Sequence, residues 1–147
     1  MSAGEQTGES VEEAIARVMG ALYPSASSAG PATPMAAEGV KVVASFEPQP
    51  EHRGNSGWLQ GGLAATVLDH VCARAASAAL GQRVVTGTLD LRYPRPVPLA
   101  GGPYRVEAEA AEPRRRMVRV RGAILDAEGR PMVEAKALFV VRPAEFV

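Results

Sequence analysis

Gly57-Trp58-Leu59-Gln60-Gly61-Gly62-Leu63-Ala64-Ala65-Thr66-Val67-Leu68-Asp69 decides how the rest of the chain is read. A glycine pair opens a helix, and a lone carboxylate follows two turns inside it. Backbone N–H groups at a helix start are open donors that can polarise a carbonyl. A carboxylate within reach of that carbonyl can attack it or activate a water. Both are parts of an acyl-transfer site.

Downstream of this stretch the pattern predicts an Ala-rich helix from about Gly62 to Leu80, stopped by Gly81. Four strands follow, about Arg83 to Tyr93, Pro103 to Ala111, Arg115 to Asp126 and Pro131 to Val141. Pro94, Pro96 and Pro98 end the first, and Asp126-Ala127-Glu128-Gly129 reads as a hairpin turn. Val133, Ala135, Ala137, Phe139 and Val141 fall on one face of their strand, opposite Glu134 and Lys136. Val85, Gly87, Leu89, Leu91 and Tyr93 are expected to share a face in the same way.

Upstream, a capping box of Ser10 and Glu13 precedes Val11, Ala14, Ile15, Val18, Met19 and Leu22, which recur at helical spacing. A helix is expected there, from about Val11 to Leu22, after a disordered N-terminus over residues 1–9. Pro24 to Pro34 reads as a loop. A strand is expected from about Gly39 to Glu47, and then a polar loop to Gly57. One long helix between strands, followed by a run of antiparallel strands, is α+β. A sheet curled around a helix that is small and apolar on most sides is the hotdog arrangement, here as a single domain over residues 10–147.

The 147 residues are the size of one domain, and 46% of them are hydrophobic, enough for a core. Sixteen basic and 16 acidic residues cancel to a net charge of +0, which argues against nucleic acid or an anionic membrane as partner. No apolar run is expected to reach membrane-spanning length. The start Met1-Ser2-Ala3-Gly4-Glu5 lacks a signal-peptide pattern, and a cytoplasmic location is expected. The single cysteine, Cys72, excludes an intrachain disulfide and a Cys-rich metal site. The two histidines and the acids show no metal-ligand spacing, and there is no Gly-x-Ser-x-Gly elbow.

From about Glu47 to Pro143 the chain resembles the hotdog-fold acyl-CoA thioesterases of the PaaI-like type. That pattern runs from a glycine through His-Gly-Gly to an acid on the central helix. A strand bearing Ser or Thr follows and ends in Tyr-x-x-Pro. Gly57, Gln60-Gly61-Gly62, Asp69, Thr86 and Tyr93-Pro94-Arg95-Pro96 occupy those positions. There are two departures: Gln60 stands where the family has His, and Gly54 where it has Asn, with Asn55 one residue later.

The resemblance implies hydrolysis of a thioester on coenzyme A or on an acyl carrier protein, without a metal or a cofactor beyond the coenzyme A of the substrate. It also implies a homodimer or homotetramer with the site across an interface, Thr86 approaching Asp69 from the partner subunit. Asp69 would be general base or nucleophile, and Gly61-Gly62 would polarise the carbonyl. Two rivals remain: an acyl- or polyketide-binding protein without turnover, and a hotdog dehydratase or cyclase acting on a tethered chain.

Each candidate also has a plainer reading. On a helix Asp69 has Ala65, Thr66, Cys72 and Ala73 for neighbours, a mostly apolar surround that costs hydration unless a partner compensates. It lies too deep to serve the helix dipole, and its plainer reading is an ordinary exposed position, from which the resemblance turns it toward function. Gly61 and Gly62 could simply make the turn into the helix. Thr86 could be an ordinary β-branched strand residue. Gln60 can position substrate or support the loop, but it does not transfer protons at neutral pH. Asn55 is a substrate or water ligand, or a turn former. His52 could line an entrance or be a solvated loop residue, and Trp58 and Phe46 could line an acyl pocket or pack in a core or dimer. His70 points about a quarter turn from Asp69, so the two form no dyad. Cys72 reads as core. Arg114, Arg115, Arg116, Arg119 and Arg121 make a basic stretch for which pairing with Glu107 and Glu109 across strands is the simplest account, and a phosphate contact the lesser one.

Overall fold

Residues 61–80 form α1 (Gly61–Leu80), and their apolar stripe is Leu63, Ala64, Val67, Leu68, Val71, Cys72, Ala75 and Ala76, all buried. Spacings of three and four residues put these side chains on one side of the helix. The helix ends where Gly81 adopts φ 66° and its N–H bonds the Ser77 carbonyl, a left-handed stop suited to glycine. The computed structural model describes residues 32–35 and 39–142. The helix expected over Val11–Leu22 and the N-terminus expected to be disordered lie outside the described residues.

A six-stranded antiparallel sheet wraps α1. Its strands are β1 (Ala32–Met35), β2 (Gly39–Phe46), β3 (Val84–Arg92), β4 (Tyr104–Ala110), β5 (Met117–Leu125) and β6 (Pro131–Val141). They lie in the order β1-β2-β4-β5-β6-β3. The inner rows are Val42, Ala44 and Phe46; Val106, Ala108 and Ala110; Val118, Val120 and Ile124; and Val133, Ala135, Ala137 and Phe139, all buried. Each fully buried Val, Leu or Phe contributes about 1.5–3 kcal/mol through removal of apolar surface from water. Small residues on these rows let the helix approach closely. At Gly122 a methyl group would fall 2.6 Å from Cys72 Sγ and 3.3 Å from Leu68 Cδ2.

This is the hotdog arrangement, and the strand ends lie within two residues of those expected. Three expectations need correction. Residues 32–34 are not loop: they belong to β1, which pairs with β2 from Ala32↔Val42 to Met35↔Gly39. Pro34 is tolerated because β1 is an edge strand. Second, α1 is long and apolar enough to pass for a membrane span by length and composition, although the sheet covers its apolar stripe. Third, Val85 and Leu89 do not share a face. The register runs Thr86↔Phe139 and then Thr88↔Leu138, so Gly87 is a bulge residue without a partner. Val84 and Thr86 therefore face inward before it, and Leu89 and Leu91 after it.

Candidate active site

The start of α1 is built by Gln60. Its backbone is extended (φ −65°, ψ 130°) and its side-chain Oε1 accepts from the Leu63 N–H at 2.8 Å. Capping removes one of the open donors of the first turn, and the first two N–H groups, those of Gly61 and Gly62, have no carbonyl one turn earlier to bond. Gln60 thus supports the loop, the second of its two expected roles. A methyl group on Gly62 would stand 3.1 Å from Gln60 Oε1, so a larger residue there presses on the cap.

The preceding loop is pinned on both sides of this turn. The Gln60 N–H bonds the His52 carbonyl at 2.9 Å, and the Leu59 N–H bonds the Val97 carbonyl at 3.0 Å. His52 is fully buried, its Nδ1 accepts from the Gln49 N–H at 2.9 Å, and its ring stacks on Phe46 at 5.7 Å. The expectation of a solvated or entrance-lining His52 is corrected: it is a packed residue that fastens the loop, and Phe46 is core. Asn55 sits at an exposed turn closed by the Gly57 N–H and the Gly54 carbonyl at 3.1 Å, with Gly57 at φ 88°. Gly54 is the residue beside the helix start, where a methyl group would lie 3.3 Å from Gln60 Cα. Trp58 is 43% exposed, so it is not core within the chain.

Asp69 is half-buried on the flank of α1 that the sheet leaves open, in line with Gly62 and Thr66. The Thr86 hydroxyl donates to Asp69 Oδ1 at 2.8 Å. The contact lies within one chain, which corrects the expectation that Thr86 reaches Asp69 from a partner subunit. The physical reason is the bulge at Gly87. Without it, the alternation of β3 would turn Thr86 to the outer face. Glycine suits that point, since a methyl group would lie 3.1 Å from the Leu138 carbonyl oxygen. His70 and Arg74 are exposed on the adjoining flank. Cys72 is buried, and burial, followed by the charge of Asp69, pushes its thiol up to about 12. It stays protonated and inert at neutral pH.

Gly62 and Asp69 are seven residues apart, about 10 Å along a helix rising 1.5 Å per residue. A single carbonyl with both groups in hydrogen-bonding or attacking distance spans less than that. On one helix the carboxylate therefore does not directly contact a carbonyl seated on the Gly62 N–H.

A residue whose role the motif did not reveal is Tyr93. Half exposed, it donates from its hydroxyl to the Gly61 carbonyl at 2.8 Å. The charge pairing on the outer face also differs from expectation. Arg121 stands opposite Glu109 in the β4–β5 ladder, but Glu107 pairs with Arg105 on its own strand at 2.6 Å and with Lys41 at 3.6 Å. Arg114 and Met117 close a hairpin with Arg115 and Arg116 at its tip, and Arg115 takes φ 58°. No group of three His, Cys, Asp or Glu suited to a metal ion occurs among the described residues.

Residues 57–133, just over half of the chain, match the family described as "Thioesterase superfamily". None of the curated proteins is similar to the chain in sequence. Among solved structures, a thioesterase superfamily protein is 31% identical with a TM-score of 0.62, covering 68% of this chain. The match takes in 48% of that protein, so the chain spans about half of its length. A thioesterase superfamily protein from Shewanella loihica PV-4 is 25% identical, covers 77% of this chain and 90% of its own, and has a TM-score of 0.58. Thioesterase superfamily member 2 of zebra fish shares the fold at 19% identity, with a TM-score of 0.66 over 79% of this chain and 83% of its own.

Proposed function

The chain belongs to the thioesterase superfamily, and on that premise we propose that it hydrolyses an acyl thioester carried on coenzyme A or on an acyl carrier protein, in keeping with its resemblance to the PaaI-like type. The observation that carries this reading is the Thr86–Asp69 pair: a half-buried carboxylate on the open flank of α1, fixed by a hydroxyl. Orienting one carboxylate oxygen leaves the other directed for attack, either its own or through a bound water. The thioester carbonyl sits on the N–H groups of Gly61 and Gly62, which stabilise the oxyanion as it forms. The C–S bond then breaks and the thiolate leaves, taking a proton that comes from water; the water route gives the free acid at once, and direct attack leaves an anhydride on Asp69 that a water hydrolyses to the free acid.

The 10 Å between the two halves is met by a second copy of the chain. The exposed edge of β3 and the open flank of α1 lie side by side, and both are covered if two sheets join at β3. Antiparallel helices related by the two-fold axis then set Asp69 and Thr86 of one protomer against Gly61 and Gly62 of the other. Trp58, exposed beside that glycine pair, lies at the rim where an acyl group enters.

The test is release of free thiol from a panel of short, long and aromatic acyl-CoA thioesters and their carrier-protein counterparts. Turnover on one class supports the reading and names the substrate. No release from any thioester would contradict it and favour an acyl-binding protein without turnover.

A further inference from the structure

The hydroxyl of Tyr93 lies 2.8 Å from the carbonyl oxygen of Gly61. That carbonyl and the N–H of Gly62 are two ends of one planar, trans peptide group, and they point in opposite directions. Turning one end turns the other. In α1 the Gly61 carbonyl points along the helix toward its C-terminus, so the Gly62 N–H points out of the N-terminus, toward the carbonyl placed there above. A donor on a peptide oxygen also draws electron density toward that oxygen and makes the N–H a stronger donor. Gly61 has no side chain to restrain the plane beyond the intrahelical bond that its carbonyl accepts, and glycine has the widest backbone freedom of any residue.

Three further features point the same way. The Tyr93 ring lies against Gly61, with Cε1 3.7 Å from where a methyl group would stand, so the phenol is seated by packing as well as by its hydrogen bond. Tyr93 immediately follows β3, the strand that carries Thr86. On the other side, Gln60 occupies the Leu63 N–H and keeps the cap from competing for the Gly62 N–H.

We propose that Tyr93 is a positioning residue of this site: its hydroxyl holds and polarises the Gly61–Gly62 peptide so that the Gly62 N–H meets the thioester oxygen. This rests on the hydrolytic reading above and adds a residue to it. Tyr93 is half exposed and its ring keeps the packing against Gly61 in Tyr93→Phe, so the variant folds normally; water that solvates the freed Gly61 carbonyl is not anchored and does not fix the peptide plane.

Two measurements test the proposal. In steady-state kinetics on the best thioester, Tyr93→Phe lowers kcat on the order of tenfold, a fraction of what loss of a whole oxyanion donor costs, with KM little changed. In nitrogen-15 spectra of the free protein, the Gly62 amide shifts in Tyr93→Phe, while amides in the strands on the far side of the sheet do not. A lower kcat together with the Gly62 shift supports the proposal. An unchanged kcat, a change in KM alone, or a lower kcat without the Gly62 shift overturns it. Absence of turnover in the wild type contradicts the hydrolytic reading instead, and takes the catalytic part of the proposal with it; the amide spectrum alone then decides whether Tyr93 sets the peptide.

Discussion

Thr86 and Asp69 are 17 residues apart in sequence and joined by a 2.8 Å hydrogen bond, and a one-residue bulge at Gly87 makes that contact geometrically available. The bond ties the edge strand to the helix and fixes one carboxylate oxygen. Removing the hydroxyl while keeping the shape, in Thr86→Val, lowers kcat on the order of tenfold, about the value of one hydrogen bond to a charged group. Thr86→Ser keeps most of the activity. Steady-state kinetics on both variants checks this, and equal activity of Thr86→Val and wild type would remove Thr86 from the mechanism.

The assignment of the two half-sites to two protomers predicts complementation. Asp69→Asn lacks one half, and Gly62→Pro lacks the open N–H of the other; no helical bond is lost at this first-turn position, but the ring also presses on the Gln60 cap, so the fold of each variant is checked by circular dichroism. Each is inactive alone. A mixed dimer purified through two different tags has one intact site and regains about half the wild-type activity, as two-fold symmetry requires. No recovery in a folded mixed dimer would place both halves in one chain.

Strand spacing and turn residues were sufficient to place β2 to β6, because period-two alternation and the Gly and Pro stops are local signals. The same holds for α1, with glycine at each end and apolar residues at helical spacing. Three features were not legible for three physical reasons. β1 contains a proline and little apolar alternation, and it exists through its pairing with β2. The bulge at Gly87 is invisible because a glycine fits either face of an alternating pattern, yet it reverses Val85 and brings Thr86 to Asp69. His52 lies among polar loop residues, and only the fold shows that its ring closes over Phe46. At the site, Asp69 and the glycine pair were readable as a motif. The roles of Gln60 as cap and Tyr93 as ligand of Gly61 depend on where the chain returns in space.

The contact between α1 and β5 is set by a missing side chain. Gly122→Ala puts a methyl group 2.6 Å from Cys72 Sγ and costs about 1–3 kcal/mol, the usual range for overpacking. Adding Cys72→Ala removes the sulfur and recovers much of the loss. Urea midpoints of the two single variants and the double variant measure the coupling. Additive effects would show that the crowding lies elsewhere.

Acid sensitivity has a named source at the β5–β6 turn. Asp126 is held down at about 2 by the Arg130 N–H first, and also by the Arg95 side chain and the Glu128 N–H. Arg95 contacts it at 2.8 Å and Arg130 at 3.2 Å. Its folded value lies below that of an unfolded aspartate, about 3.9, so the stabilisation is fully present above about pH 5 and is lost as pH falls through about 2 to about pH 1. Melting temperatures of wild type and Asp126→Asn therefore differ at pH 6, and the gap narrows through pH 2 and closes only by about pH 1. A gap that stays constant over that range would rule out ionisation of Asp126 as its cause.

If Asp69 delivers the attacking oxygen to a thioester, as proposed, its amide variant binds the ligand without turning it over. The most direct measurement is single-turnover thiol release by Asp69→Asn beside wild type, with binding of the same acyl-CoA measured by calorimetry. The expected result is a loss on the order of a hundred- to ten-thousandfold in rate, with the ligand still bound and the fold intact. Undiminished thiol release by the folded variant would contradict it.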